Sequence, residues 1–180
     1  MGGLVTRSAL YYGQQQQKGW TAHLKKMVFL GTPHHGSPLE RTGNYLDIIL
    51  ENIPYAKPFA RLGKIRSAGV TDLRYGNLID EDWQGNDRFE IQVDQRQYIP
   101  LPEEIECYSI AADLGKATAS VSPRILGDGL VDVKSALGQH RDPTKNLNFE
   151  ELNTWVAYES SHLDLLSSPK IYAKMKTWLI

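Results

Sequence analysis

The apolar positions of the chain fall into helical and strand-like patterns. Over residues 3–16, Leu4, Val5, Ala9, Leu10 and Tyr12 supply the apolar positions and Gly19 follows as a stop, which predicts a helix. Residues 25–31 (Lys25-Lys26-Met27-Val28-Phe29-Leu30-Gly31) carry an apolar run that does not alternate. Such a run predicts a strand covered on both faces, as in a parallel sheet. Residues 105–111 and Thr154–Tyr158 read as two further strands. The last helix has a defined start, with Ser168 at the N-cap and Pro169 at the first helical position. Ile171, Tyr172, Met175, Trp178 and Leu179 give it an apolar stripe.

The stretches between these elements differ from one another. Thr32-Pro33-His34-His35-Gly36-Ser37-Pro38 is a loop, broken by Pro and Gly. Residues 38–100 mix amphipathic stretches with Gly, Pro and Asn, and predict a mostly helical insertion over a core made of 1–37 and 101–180. A Gly/Ala/Ser/Pro loop at 113–127 leads into Gly127-Asp128-Gly129-Leu130-Val131. The order of helix, strand, insertion, strand, loop, strand and helix predicts an α/β fold with about three parallel strands and flanking helices.

Composition narrows the function classes. The 180 residues include 20 Lys+Arg and 21 Asp+Glu, so the near-zero net charge gives no electrostatic reason to expect nucleic acid. The longest apolar runs are a few residues, far short of the ~20 that a membrane-spanning helix needs. The single Cys, Cys107, excludes an internal disulfide framework and sits in a buried-looking strand, where it reads as an inert core thiol. A lone Cys fits a reducing compartment such as the cytoplasm, and any targeting segment would precede Met1.

The chemistry-bearing residues stand at strand ends. Asp128 lies on the loop after the second strand, between two glycines that permit sharp turns. His162 follows the third strand. An acid followed by a base, each beyond a strand, is the order of the last two members of a Ser-Asp-His triad. The nucleophile elbow of such enzymes reads G-x-S-x-G, and no intact copy occurs in the chain. The chain instead opens Met1-Gly2-Gly3 directly into a helix, as the second half of an elbow would.

Four segments together resemble the C-terminal half of an α/β-hydrolase of the lipase and GPI inositol-deacylase-like group. They are Met1–Val5, Phe29–Ser37, Gly127–Val131 and His162-Leu163-Asp164, in family order across nearly the whole chain. The resemblance implies that Asp128 is the triad acid, that His162 is the general base and that the Ser lies just upstream of Met1. It makes the Met1 backbone N–H one oxyanion-hole donor and 38–100 a lid. It implies an ester or lipid-like small-molecule substrate and no cofactor. On this reading Met1 is internal to a larger domain, and the 180-residue chain alone is inactive.

Two departures from the family pattern matter. Asp132 stands where relatives often have Pro and adds a competing carboxylate. Asp164 matches a calcium-ligand position of some related lipases, but no second carboxylate ligand is identifiable, so no metal is predicted. His34 and His35 are adjacent on an extended segment, point to opposite sides and read as loop-shaping residues rather than ligands of one ion. Lys25-Lys26 reads as a solvated strand entry.

Two other functions fit the same residues. One is a non-catalytic binding module, in which a remaining pocket or an unpaired sheet edge engages a partner. Such an edge predicts self-association. The other is acyl transfer to an alcohol other than water, which uses the same triad.

Overall fold

The computed structural model describes residues 1–37, 73, 75–85, 96–116 and 127–180. Most of the insertion predicted over 38–100, and of the loop at 113–127, lies outside the described residues. The described parts of the insertion include a short turn of helix at Asp80–Asp82 and a stretch without regular secondary structure at 96–100.

Six elements build the core: helix α1 (Gly2–Gln15), strand β1 (Lys26–Leu30), strand β2 (Glu106–Asp113), helix α2 (Val133–Ala136), strand β3 (Thr154–Tyr158) and helix α3 (Pro169–Leu179). The strands form one parallel sheet in the order β1-β2-β3. Ile110, in the middle strand, pairs with Leu30 on one side and Trp155 on the other.

The apolar runs fail to alternate because both faces of the sheet are covered. From β2, Tyr108, Ile110 and Ala112 turn to a core shared with Ala157, Leu165, Ile171 and Trp178, under α3. Cys107 turns the other way and joins Leu10, Met27 and Phe29 under α1. Ala111 packs on that opposite side against Val131, Val133 and Ala136 around α2. Successive strand residues alternate between faces, and helices cover each face, so Cys107–Ala112 of β2 are all buried. Lys26 reaches the C-terminal end of α3, where its Nζ donates to the Trp178 carbonyl at 2.7 Å. It also pairs with Glu106 at 3.7 Å, consistent with a partly solvated strand entry.

Several local expectations change. Helix α1 ends before Gly19. Lys18 N–H donates to Gly13 O at 2.8 Å and Gln17 N–H to Gln14 O at 3.0 Å, with Gln17 itself at φ 52°. This closing pattern stops a helix without a glycine. The buried face of α1 is Leu4, Arg7, Leu10 and Gly13, so a charged residue occupies an apolar-phase position. In α3, Ile171 and Trp178 are buried and Met175 packs beside them, whereas Tyr172 and Leu179 are exposed. Ser168 holds the N-cap position without a side-chain cap hydrogen bond. Strand β2 runs two residues beyond the predicted end, to Asp113. Helix α2 has no apolar periodicity of its own. It starts because Asp132 caps it, accepting from Lys134 N–H at 2.9 Å.

Among the described residues, β1 and β3 each pair with β2 alone, and no helix is long and apolar enough to cross a membrane. Ile110 is 0% exposed at the centre of the sheet. Ile110→Ala is expected to cost about 2–5 kcal/mol, read from urea unfolding midpoints, through lost burial and the cavity left behind. A cost under 1 kcal/mol would contradict this placement.

Candidate active site

Parallel strands all end on the same side of a sheet, and loops there converge. Gly31 follows β1, Asp113 ends β2, and the turn carrying His162 follows β3. Asp113 ties two of these ends together. Its carbonyl accepts from Ser160 N–H at 3.0 Å, and its carboxylate accepts from Gly115 N–H at 2.8 Å. Leu114 N–H then donates to Gly127 O at 3.0 Å, which anchors the acid loop to the end of β2.

The acid loop is a tight turn built on two glycines. Gly127 and Gly129 sit at φ 63° and 89°. A Cβ on Gly127 would fall 2.2 Å from the Val131 carbonyl oxygen. Asp128 is 3% exposed, and one of its carboxylate oxygens, Oδ1, accepts from Leu130 N–H at 2.9 Å and Val131 N–H at 2.7 Å. These bonds lock the carboxylate and leave Oδ2 to face His162. There His162 Nδ1 lies 2.6 Å away. The backbone repeats the attachment, with His162 N–H donating to Asp128 O at 3.1 Å.

A carboxylate accepts hydrogen bonds, so Nδ1 carries the proton and Nε2 of the neutral ring presents a lone pair. Nε2 has no hydrogen-bond partner among the described residues, and the His162 side chain is 28% exposed. An imidazole oriented this way at one nitrogen can take and return a proton at the other.

Gly31 makes room for the pair. It sits at φ 52°, and a Cβ there would lie 2.9 Å from His162 Cε1, 3.0 Å from Asp128 Oδ2 and 2.6 Å from Leu165 Cδ1. Any side chain at 31 would occupy the space that the dyad fills. The sequence carries a faint signal of this, a glycine directly after a buried strand.

The other singled-out residues fall into place around the dyad. Asp132 caps α2, and it is Asp128 that the structure brings to His162. Asp164 accepts from Ser161 N–H at 2.8 Å and Ser161 Oγ at 2.7 Å, bonds that hold its carboxyl below the usual range and close the turn around His162. Met1 is the N-cap residue of α1, and its carbonyl accepts from Leu4 N–H at 2.9 Å. The first turn of α1 seats on the residue beside Gly31, since a Cβ on Gly3 would fall 2.1 Å from Thr32 Oγ1. Cys107 is buried, which pushes its thiol up to about 11.

His34 and His35 diverge, but from a turn and not from the expected extended segment, with Gly36 N–H donating to Pro33 O at 3.0 Å. His34 is buried against Phe29 and Phe149, with ring centroids 4.8 and 5.5 Å away. His35 turns to the acid loop's neighbours. Its backbone N–H donates to Ser135 Oγ at 3.1 Å, and its Nε2 lies 3.0 Å from Gly138 O. Ser135 Oγ donates to Gly36 O at 2.7 Å, and Ser37 Oγ donates to Leu130 O. The Thr32–Ser37 stretch is therefore a brace for the loop that carries Asp128. Comparison with known protein families, curated proteins and solved structures finds no match to the chain.

Gly31→Ala and Asp128→Asn are each expected to abolish the far-downfield proton resonance of the His162 Nδ1–H. Gly19→Ala, which has open space at its Cβ, leaves that resonance in place. Persistence of the signal in Gly31→Ala would refute the close packing. Burial holds His35 down at about 4, with Arg96, His140 and Arg7 adding repulsion against the Gly138 hydrogen bond, and holds His34 well below the usual value. Both histidines stay neutral in the fold while the unfolded chain takes up protons below about pH 6.5. Stability should therefore fall as pH drops from about 6.5 towards 4, with a shallower slope in His35→Gln, measured by urea titration at each pH.

Proposed function

We propose that Asp128 and His162 are the acid and base of a serine-type ester hydrolase, with the nucleophilic Ser contributed by sequence upstream of Met1. The observation that carries this reading is the 2.6 Å contact between Asp128 Oδ2 and His162 Nδ1. It combines with a carboxylate locked by two backbone N–H groups and an Nε2 that has no partner among the described residues. An acid that only filled a turn would not also need a histidine ring on its remaining oxygen.

The chemistry follows from the geometry. His162 Nε2 takes the proton of the Ser hydroxyl as the oxygen attacks the ester carbonyl. Asp128 stabilises the resulting imidazolium and keeps the ring from turning. His162 then returns the proton to the leaving alcohol, and an acyl-enzyme remains. Water repeats the sequence with the same base and frees the acid. The N–H of Met1, at the first turn of α1, is the proposed oxyanion donor, because that donor follows the nucleophile.

The surroundings favour an apolar acyl group. Leu163 adjoins the base and is exposed, and so are Leu114 and Met1. Leu114 lies over the acid loop, 3.8 Å from where a Cβ on Gly129 would stand. Exposed leucines beside a polar dyad suit an ester with a hydrocarbon chain.

The test is to read the coding sequence directly 5′ of the Met1 codon and express the longer chain. An in-frame Gly-x-Ser and turnover of p-nitrophenyl esters are expected, with no turnover from the 180-residue chain. In the longer chain, Asp128→Asn is expected to lower kcat about 10⁴-fold, and His162→Ala by at least as much. No serine upstream, or full turnover in His162→Ala, would overturn the proposal.

A further inference from the structure

A second polar cluster lies on the α1 side of the brace, apart from Asp128 and His162. Arg7 projects from the buried face of α1 and is 6% exposed. Its Nη2 donates to Ile99 O at 2.6 Å, and its Nη1 lies 3.3 Å from His34 Nδ1. Arg7, His34, Arg96 and Lys145 line one small cavity, with Ile99 and Leu147 among its apolar walls.

A guanidinium is always protonated and has five N–H donors. The two bonds above go to neutral acceptors. Among the described residues no carboxylate is near enough to act on Arg7, and Arg96 repels it. Burial and that repulsion push Arg7 down to about 10. Asp82 also lines the cavity, but it is not among the groups that act on Arg7, and its carboxylate is turned to the backbone N–H groups of Leu78, Ile79 and Gln97.

His34 adds an unmet donor. Arg7 can only donate to Nδ1, so the neutral ring carries its proton on Nε2. That Nε2 is buried, in a residue 1% exposed, and has no hydrogen-bond partner. A buried cation with no counter-charge and a buried donor with no acceptor among the described residues, both lining one cavity, lack the same kind of partner.

We propose that this cavity binds one small monovalent inorganic anion of about the size of chloride. The volume sets the size: about 20 Å³ of free space, on the order of what one water needs. A water would satisfy hydrogen bonds and leave the charge uncompensated, whereas an anion satisfies both. Bound there, it would link Arg7 of α1, His34 of the brace and Arg96 of the stretch at 96–100. Arg96 already reaches the other side of that junction through Gly76 O at 3.1 Å. The inference is independent of the proposed hydrolase chemistry.

The probe is sodium chloride exchanged against sodium gluconate at constant ionic strength. About 100 mM chloride is expected to raise Tm by roughly 2–8 °C over gluconate. The chloride NMR line should broaden in proportion to protein concentration. Arg7→Gln should remove both effects, and in gluconate it should be at least as stable as the parent, since it removes an uncompensated buried charge. Should Arg7→Gln fail to fold, Lys145→Gln is expected to lower chloride affinity severalfold. Equal Tm in chloride and gluconate, or broadening unchanged in these variants, would show that the cavity holds water and overturn the proposal.

Discussion

The Asp128 carboxylate is divided between two tasks, and the candidate site depends on that division. One oxygen is held by the N–H groups of Leu130 and Val131, so the other cannot swing away from His162. A carboxylate free to rotate would average over several positions, and the imidazole would follow it. Fixing the acid through its own backbone turn makes the base's orientation a property of the loop. The loop in turn takes its shape from Gly127 and Gly129, whose φ values L-residues rarely adopt.

A turn this tight needs support, and it comes from segments distant in sequence. The end of β2 holds Gly127 through Leu114. Ser37 and Ser135 stitch the stretch after β1 to the loop after Asp128. His35 completes the brace while staying neutral, because burial makes its charged form costly. Hydroxyls and a neutral imidazole suit this task. They satisfy buried backbone groups without adding a charge that would compete for the Asp128 carboxylate.

The parts of the fold that a sequence can announce are those governed by local pattern. The strands were legible because Met27–Leu30, the residues after Ile105 and Thr154–Tyr158 are apolar runs of strand length. Asp128 and His162 were legible as residues at strand ends, and their contact follows from the parallel sheet bringing those ends together. Gly31 was not, because its role is the absence of a Cβ beside residues far along the chain. Arg7 was missed for a related reason. It occupies the apolar phase of α1, and helical periodicity assigns such positions to the core without saying what a cation does there. Helix α2 is too short for a period and depends on one capping carboxylate. Most of the proposed lid falls outside the described residues.

The parallel order of the sheet has a kinetic consequence. Asp128 and His162 are 34 residues apart, and Gly31, which gives them room, belongs to the first strand. None of the three meets the others through local structure. The dyad is therefore a high-contact-order feature, absent from any partly folded state in which β3 has not yet docked on β2. Loop-closure entropy opposes that docking until the whole sheet forms, so folding should be slow for the size of the core. In return, the paired imidazole reports completed folding. A chain that has secondary structure but lacks the β2–β3 pairing would keep its helices and have no ordered base.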